Sequence, residues 1–208
     1  MDPGTRTITT NLKTTIPWTM IALRALGSPL IVSGAKRAWP GTWLAAIVLF
    51  ALVDDIFDGI LARRFHCETP TLRLSDSIAD TIFYLGVLAA LWVRTPELLK
   101  GNWILFAALL SLEAARYVFD LWKFRKAASY HSYLAKAWGL LLAAAMIGVF
   151  ALDSLRFMIP TALLWGIIVN LEGLAMSVML PRWKNDVKTL SAALRFRKQM
   201  LSEEPALD

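Results

Sequence analysis

The chain of 208 residues is 57% hydrophobic and 18% charged, and it carries nine tryptophans. A soluble domain is usually nearer half apolar and a quarter charged, so this composition argues against a water-soluble globular protein and favours helices in a bilayer. The net charge of +6 predicts no nucleic-acid partner, because the basic residues cluster beside apolar runs, where they act as topology signals.

Six segments are apolar enough and long enough for membrane-spanning helices, which need roughly 17–25 residues each. The predicted spans are 16–34, 41–62, 74–94, 102–122, 134–152 and 157–180. We therefore predict an all-α, polytopic membrane helix bundle, with one six-helix catalytic domain over 16–180. Residues 1–15 are predicted to form a cytoplasmic or interfacial segment, and 181–208 a basic cytoplasmic tail. Apolar residues among the charges of the tail fit an interfacial helix as well as a solvated tail.

The basic residues in the short flanks of the spans predict the orientation. With both termini in the cytoplasm, the inner segments hold six basic residues of the tail and Arg6, Lys13, Arg63, Arg64, Arg73, Lys123, Arg125 and Lys126. The outer segments then hold Lys36, Arg37, Arg94, Lys100 and Arg156. This asymmetry predicts that both termini are cytoplasmic.

Charged residues inside the predicted spans are costly, roughly 2.5–3.5 kcal/mol each at a helix centre, and they mark function. The candidates are Arg24, Asp54, Asp55, Asp58, Asp76, Asp80, Glu113, Arg116, Lys136 and Glu172. The predicted topology places all of these in the inner halves of their helices, which predicts a polar cavity that opens to the cytoplasm. The alternative is that the spans are drawn too long and the charges belong to loops.

The aspartates have helical spacing in two consecutive spans. Asp55 and Asp58 share one helix face, and Asp76 and Asp80 share a face of the next helix, so two facing helices are predicted to present four carboxylates to one another. Four carboxylates in a low-dielectric site require a counter-charge. Hard oxygen ligands favour Mg²⁺, Mn²⁺ or Ca²⁺ over zinc, and two such ions would neutralise the site and clamp a pyrophosphate.

Small residues and an arginine follow these aspartates. Gly59 and Ala62 lie on the carboxylate face, where bulk would block a ligand, and Arg63 is suited to hold a phosphate at the cytoplasmic boundary. The alternative for Gly59 is close helix packing, and for Arg63 an ordinary topology charge.

Residues 55–80 read D-x2-D-G-x2-A-R-x8-L-x3-D-x3-D. This pattern resembles the signature of the class I CDP-alcohol phosphotransferases, the CDP-alcohol phosphatidyltransferase family, except that Leu72 stands where the family has glycine. The stretch I-P-W-T-M-I-A-L-R, which ends at Arg24, is similar to the first-helix pattern of the family, with Trp18 where asparagine is common. Six spans and cytoplasmic termini agree with this resemblance.

The resemblance implies a metal-dependent enzyme that transfers a substituted phosphate from a CDP-alcohol to a second alcohol and releases CMP. By position, it implies metal ligands at Asp55, Asp58 and Asp76, a general base at Asp80 that also touches a metal, and a nucleotide-binding segment at Gly59, Ala62 and Arg63. It further implies two Mg²⁺ or Mn²⁺ ions, a homodimer, and a bacterial or archaeal plasma membrane. Asp54, where the family often has serine or threonine, receives no role.

For a chain this short, the resemblance implies CDP-diacylglycerol as the donor, with its acyl chains among the membrane lipids and a polar alcohol as acceptor. Arg116 and Lys136, with Arg125 in the adjoining loop, favour a phosphorylated acceptor such as glycerol 3-phosphate or an inositol phosphate. The alternative is that Arg116 neutralises Glu113 and Lys136 snorkels. His131 is a further candidate for acceptor contact or proton transfer.

The sequence leaves three rival functions open. A cation transporter would use the carboxylates as its path, but the outer halves of the spans are almost wholly apolar, whereas a path needs polar groups at both faces. A catalytically silent family member is the second rival, which Leu72 permits. The third is a transferase that takes CDP-choline or CDP-ethanolamine as donor and diacylglycerol as acceptor.

Overall fold

The computed structural model describes the backbone of residues 3–65, 69–126, 128, 130, 132–152, 155–184 and 186–202. The description of side chains further leaves out 3–14, 62, 70, 73 and 74. Within these residues the secondary structure is helical, with eight helices: α1 (Pro3–Lys36), α2 (Gly41–Phe65), α3 (Pro70–Arg94), α4 (Pro96–Gly101), α5 (Trp103–Phe124), α6 (Tyr133–Leu152), α7 (Met158–Met179) and α8 (Leu190–Ser202). The predicted all-α class is confirmed.

Each of the six predicted spans coincides with one long helix. Four helical segments of the described chain are long and apolar enough to cross a membrane: 15–36, 75–94, 133–152 and 158–179. The remaining two helices, α2 and α5, carry several charged residues each within their apolar sequence. The six-span count therefore stays a prediction.

Two features of the helices differ in detail from the predicted segments. The helix α1 continues from the N-terminal segment into the first predicted span without a break, although it contains Pro17 and Pro29. The short helix α4 begins at Pro96, a residue suited to a first helical position, and joins two predicted spans.

The chain divides into two compact units, residues 1–99 with 146–156 and residues 100–145 with 157–208. In the first unit, α1 packs against both α2 and α3. Gly86 of α3 lies so close to α1 that a Cβ atom there would stand 2.9 Å from the Cα of Ser28. Small residues at this contact let the two helices approach closely, as is typical of helices in membranes.

The start of α3 is fixed by local capping. Thr69 is the N-cap, and its side-chain oxygen accepts a hydrogen bond from the backbone N–H of Leu72 at 3.1 Å. The side chain of Leu72 is buried in a small cluster with Ile21 and Ala79. The first turn of α3 is thus held against α1, four residues before the first aspartate of α3.

In the second unit, α7 packs against α5 and α8. The buried Asp120 accepts hydrogen bonds from Ser177 Oγ at 2.5 Å and from the backbone N–H of Ala128 at 3.3 Å. Tyr130 Oη pairs with Ser177 Oγ at 3.0 Å, and burial raises the pKa of this phenol. Lys123 Nζ donates to two carbonyl oxygens at the end of α7. This network stabilises the loop after α5 against α7.

Large apolar side chains are exposed along the long helices. The exposed fraction is 74% for Trp122, 65% for Ile104 and 60% for Leu85. In water so many exposed apolar residues would promote aggregation, whereas lipid acyl chains cover them without cost. The exposed surface therefore fits a bilayer.

Candidate metal and nucleotide site

The four predicted carboxylates come together in the first unit, around a residue of α1. Asp55 and Asp58 lie on α2, and Asp76 and Asp80 on α3. Because α1 packs against both of these helices, the side chain of Arg24 reaches the carboxylates of both. The sequence predicted that α2 and α3 face each other. It did not predict that α1 contacts both helices and supplies the counter-charge through Arg24.

Arg24 forms ion pairs with five aspartates. Its Nη1 donates to Oδ1 of three of them, at 3.1 Å to Asp55, 2.7 Å to Asp76 and 2.6 Å to Asp80. Its Nη2 donates to Asp54 Oδ2 at 3.2 Å and to Asp58 Oδ2. Arg24 is only 1% exposed. A buried arginine with this many carboxylate partners is strongly held, because each charge-assisted bond compensates for lost hydration.

Three of the carboxylates form a group that suits a metal ion. One oxygen from each of Asp55, Asp76 and Asp80 lies within 4.8 Å of the other two. These residues are half-buried, and their Oδ1 atoms all accept hydrogen bonds from one nitrogen of Arg24, so they converge on a single cation position. Three hard oxygen donors around one such position fit Mg²⁺ or Mn²⁺. Asp58, the fourth predicted ligand, lies with Asp54 at the other guanidinium nitrogen.

The nucleotide-binding segment predicted after Asp58 is partly described. The guanidinium of Arg63 lies along α2 beside Gly59, where a Cβ atom would stand 3.5 Å from Arg63 Nη1. A Cβ atom at this distance would make an ordinary van der Waals contact, so the arginine does not depend on glycine for its place. The side chain of Arg63 is exposed and available to a phosphate. The side chain of Ala62 lies outside the described residues.

Residues 14–179 match the family described as CDP-alcohol phosphatidyltransferase. This match covers most of the chain and includes both aspartate-bearing helices. The chain belongs to the CDP-alcohol phosphatidyltransferase family. The resemblance predicted from residues 55–80 is confirmed, and with it the membership of a family of transferases that act in phospholipid synthesis.

A cardiolipin synthase (CMP-forming) from Oryza sativa subsp. japonica is 28% identical to the chain over 103 residues. The aligned part is 47% of this chain and 31% of that protein, so the chain matches about a third of its relative's length. No solved structure is significantly similar to the chain. Family membership and the apolar helices together identify an integral membrane protein of the CDP-alcohol phosphatidyltransferase family.

The predicted acceptor residues of this family member belong to the second unit. Arg116 Nε donates to Asn170 Oδ1 at 3.2 Å, and a Cβ atom on Gly173 would stand 3.0 Å from Arg116 Cδ. Asn170 and Gly173 of α7 thus position the arginine of α5, for which the alternative interpretation of the sequence was a pairing with Glu113. The other three residues are Lys136, exposed on α6; Arg125, exposed where α5 ends; and His131, which lies outside the described residues. Their part in acceptor binding stays a prediction.

Sequence reasoning missed the roles of two residues in the site. Arg24 was recognised as a buried charge without a partner, and Asp54 was given no role. A signal was present for both, because an arginine inside a span requires a nearby acid. The structure pairs the two and places them at the carboxylate cluster.

Proposed function

We propose that the chain transfers a phosphatidyl group from CDP-diacylglycerol to an alcohol acceptor and releases CMP. The observation that carries this proposal is the convergence of Asp55, Asp76 and Asp80 on one cation position within the family-matched segment. The reaction needs positive charge at a diphosphate and a base at the acceptor hydroxyl. The aspartate cluster offers ligands for a metal ion that would supply the positive charge, and Asp80 of the cluster is the candidate base.

Asp55, Asp58, Asp76 and Asp80 would hold one or two Mg²⁺ or Mn²⁺ ions in this proposal. When bound, the metal supplies charge that stabilises the diphosphate and the departing CMP. Arg63 binds the donor phosphates at the cytoplasmic end of α2, where its side chain is exposed. Asp80 accepts the proton of the acceptor hydroxyl, so that the oxygen attacks phosphorus as the bond to CMP breaks.

The acceptor is proposed to be an alcohol that carries an anionic phosphate. Arg116 is the supporting residue, because Asn170 orients its guanidinium and leaves other N–H groups for a ligand. Glycerol 3-phosphate and inositol phosphates are water-soluble acceptors of this class. Phosphatidylglycerol is a lipid alcohol that carries an anionic phosphodiester, and it belongs to the same broad class. Three further candidates for contact with the acceptor are Arg125, Lys136 and His131.

The placement in the cell is also a proposal. Six spans, two cytoplasmic termini and a site that faces the cytoplasm follow from the distribution of lysine and arginine in the flanks. A homodimer and a bacterial or archaeal plasma membrane rest on the resemblance alone.

The test is CMP release from CDP-diacylglycerol by the purified chain with Mg²⁺ or Mn²⁺ and a panel of acceptors. The panel contains glycerol 3-phosphate, inositol phosphate, inositol, serine and phosphatidylglycerol. We expect release with a phosphate-bearing acceptor. Release with inositol or serine alone would contradict the proposed acceptor class, and no release with any acceptor would contradict the donor.

Asp80→Asn tests the proposed base in the same assay. Loss of a positioned base costs about 10²–10⁴-fold in rate, so turnover should fall by that factor while CDP-diacylglycerol binding persists. Glu97→Gln is the matched control, because it removes an exposed carboxylate of α4 outside the site. Unchanged turnover in Asp80→Asn would remove Asp80 as the base.

A further inference from the structure

The guanidinium of Arg24 divides the five aspartates into two sets. Nη1 contacts Asp55, Asp76 and Asp80, the three residues whose oxygens suit a metal ion. Nη2 contacts Asp54 and Asp58 on the other side. Nη1 of Arg24 therefore lies where the three metal-suited carboxylates converge. Nη2 is held by Asp54 and Asp58.

Asp54 depends on Arg24 for its charge. Its side chain is 4% exposed, and it lies outside both the metal-suited group and the family signature. A carboxylate buried this deeply is stable only when it is paired, and its ion pair is with Arg24 at 3.2 Å. Arg24 in turn is 1% exposed, and its Nε is buried without a hydrogen-bond partner among the described residues. Among the residues that the structure describes, the polar partners of the arginine are thus the aspartates at its two terminal nitrogens.

The charges of the cluster give a reason for the fifth carboxylate. Five ionised aspartates and one arginine leave four negative charges, which is the charge that two divalent ions neutralise. Without Asp54, the arginine would neutralise one of the carboxylates that the metal needs. Asp54 therefore offsets the charge of Arg24 within the same site.

We propose that Arg24 is a built-in cation of this site, which competes with the divalent metal for Asp55, Asp76 and Asp80, and that Asp54 weakens this competition by pairing with Arg24. Asp54 is then a positioning residue, which acts on metal affinity through Arg24 and not as a ligand. This inference rests on the proposed metal site and adds roles for two residues to it. Arg24 also links the two aspartate-bearing helices, because it pairs with Asp55 of α2 and Asp76 of α3.

A double-mutant cycle on Mn²⁺ affinity tests the inference. The dissociation constant is measured by electron paramagnetic resonance titration of the full chain in detergent, for wild type, Asp54→Asn, Arg24→Gln and the double variant. Asp54→Asn should weaken Mn²⁺ binding by on the order of tenfold, as is usual for coupled sites, because Arg24 then pairs more strongly with the metal ligands. Arg24→Gln alone should tighten Mn²⁺ binding, because the competing cation is gone.

The decisive comparison is the effect of Asp54→Asn in the two backgrounds. In the Arg24→Gln background, the substitution should change Mn²⁺ affinity by less than about twofold, which is the usual error of additivity. An equal loss in both backgrounds would show that Asp54 is itself a ligand, and no loss in either would show that it has no role in metal binding. Both results overturn the inference.

Asp120→Asn is the matched control, since Asp120 is also a buried aspartate but belongs to the second unit and pairs with Ser177. It should leave Mn²⁺ affinity unchanged. If Arg24→Gln fails to fold, Arg24→Lys replaces it, because an ammonium group keeps the charge but does not serve both nitrogen positions. In that background the loss caused by Asp54→Asn should be smaller than in wild type, and an undiminished loss overturns the inference.

Failure of the inference is distinguishable from failure of the proposed function. A wild-type chain that does not bind Mn²⁺ would overturn the metal site and the inference together. The other case is a wild type that binds Mn²⁺ tightly while Asp54→Asn has the same effect in both Arg24 backgrounds. That result would overturn only the roles of Arg24 and Asp54.

Discussion

Leu72 occupies the position at which the chain departs from the family signature, and the structure gives this side chain a packing role. It is 6% exposed and packs with Ile21 and Ala79 at the contact between α1 and α3. A glycine at this position would leave that cluster without one of its two large side chains. Leucine in place of glycine therefore changes the packing of α1 against α3 beside the site, and the aspartates of the signature are all present.

Leu72→Ala should lower the free energy of unfolding in detergent by about 2 kcal/mol, which is at the low end for a buried leucine. The physical reason is the loss of apolar contact and the cavity left between α1 and α3. The measurement is the thermal midpoint of the purified variant, with Leu85→Ala as control, since Leu85 lies on the same helix and is 60% exposed. Equal midpoints for the two variants would contradict the packing role.

The spacing of residues along one helix was enough to predict which aspartates share a face. It did not predict the position of Arg24, which lies between 30 and 56 residues away from its partners in the chain. Contacts of that separation depend on how helices pack, and no local pattern encodes them. Asp54 was missed for the same reason, because its partner is on another helix.

At the scale of helices, the close contact of α1 with α3 positions Arg24 against Asp76 and Asp80. Ser28 lies one turn after Arg24 on α1 and meets Gly86 of α3. Any side chain at position 86 must therefore move the helix that carries the arginine.

Gly86→Ala should destabilise the protein by roughly 1–3 kcal/mol, the usual cost of overpacking. It should also tighten Mn²⁺ binding, because separating α1 from α3 withdraws the competing Arg24 from Asp76 and Asp80. Thermal midpoints and Mn²⁺ titration measure the two effects. Gly139→Ala is the matched control, since a Cβ atom there meets nothing within 4 Å. A Gly86→Ala protein as stable as the control would refute the close contact.

The long helices were predictable because their apolar runs exceed the thickness of a bilayer and end at charges, glycine or proline. The short helix α4, with the sequence P-E-L-L-K-G, was missed because six residues are too few to show a period. The continuation of α1 through Pro17 was equally hidden, since proline ordinarily marks a helix end or kink.

At the scale of the whole molecule, the count of spans depends on α2 and α5. These helices carry the charges that lower their hydropathy, and α2 carries three of the five clustered aspartates. If both cross the membrane, the link at 66–69 faces the cytoplasm and the segment at 95–102 faces outward. If neither crosses, the two segments exchange sides.

Labelling with a membrane-impermeant maleimide distinguishes these two topologies. In intact cells that express the chain, Cys67 should react only after permeabilisation, because six spans place it inside. In a Cys67→Ser background, Lys100→Cys should react without permeabilisation, since Lys100 is exposed on α4. The reversed pattern would contradict six spans, and a terminus that proves to be external would contradict the orientation.

The most direct test of the central claim is the metal dependence of CMP release by the wild-type chain with CDP-diacylglycerol and the acceptor that the panel identifies. We expect a chelator to abolish CMP release, and added Mg²⁺ or Mn²⁺ to restore it, because the aspartate cluster needs divalent charge to hold the donor diphosphate. Full CMP release in the presence of the chelator, from protein shown to be free of bound metal, would contradict the account.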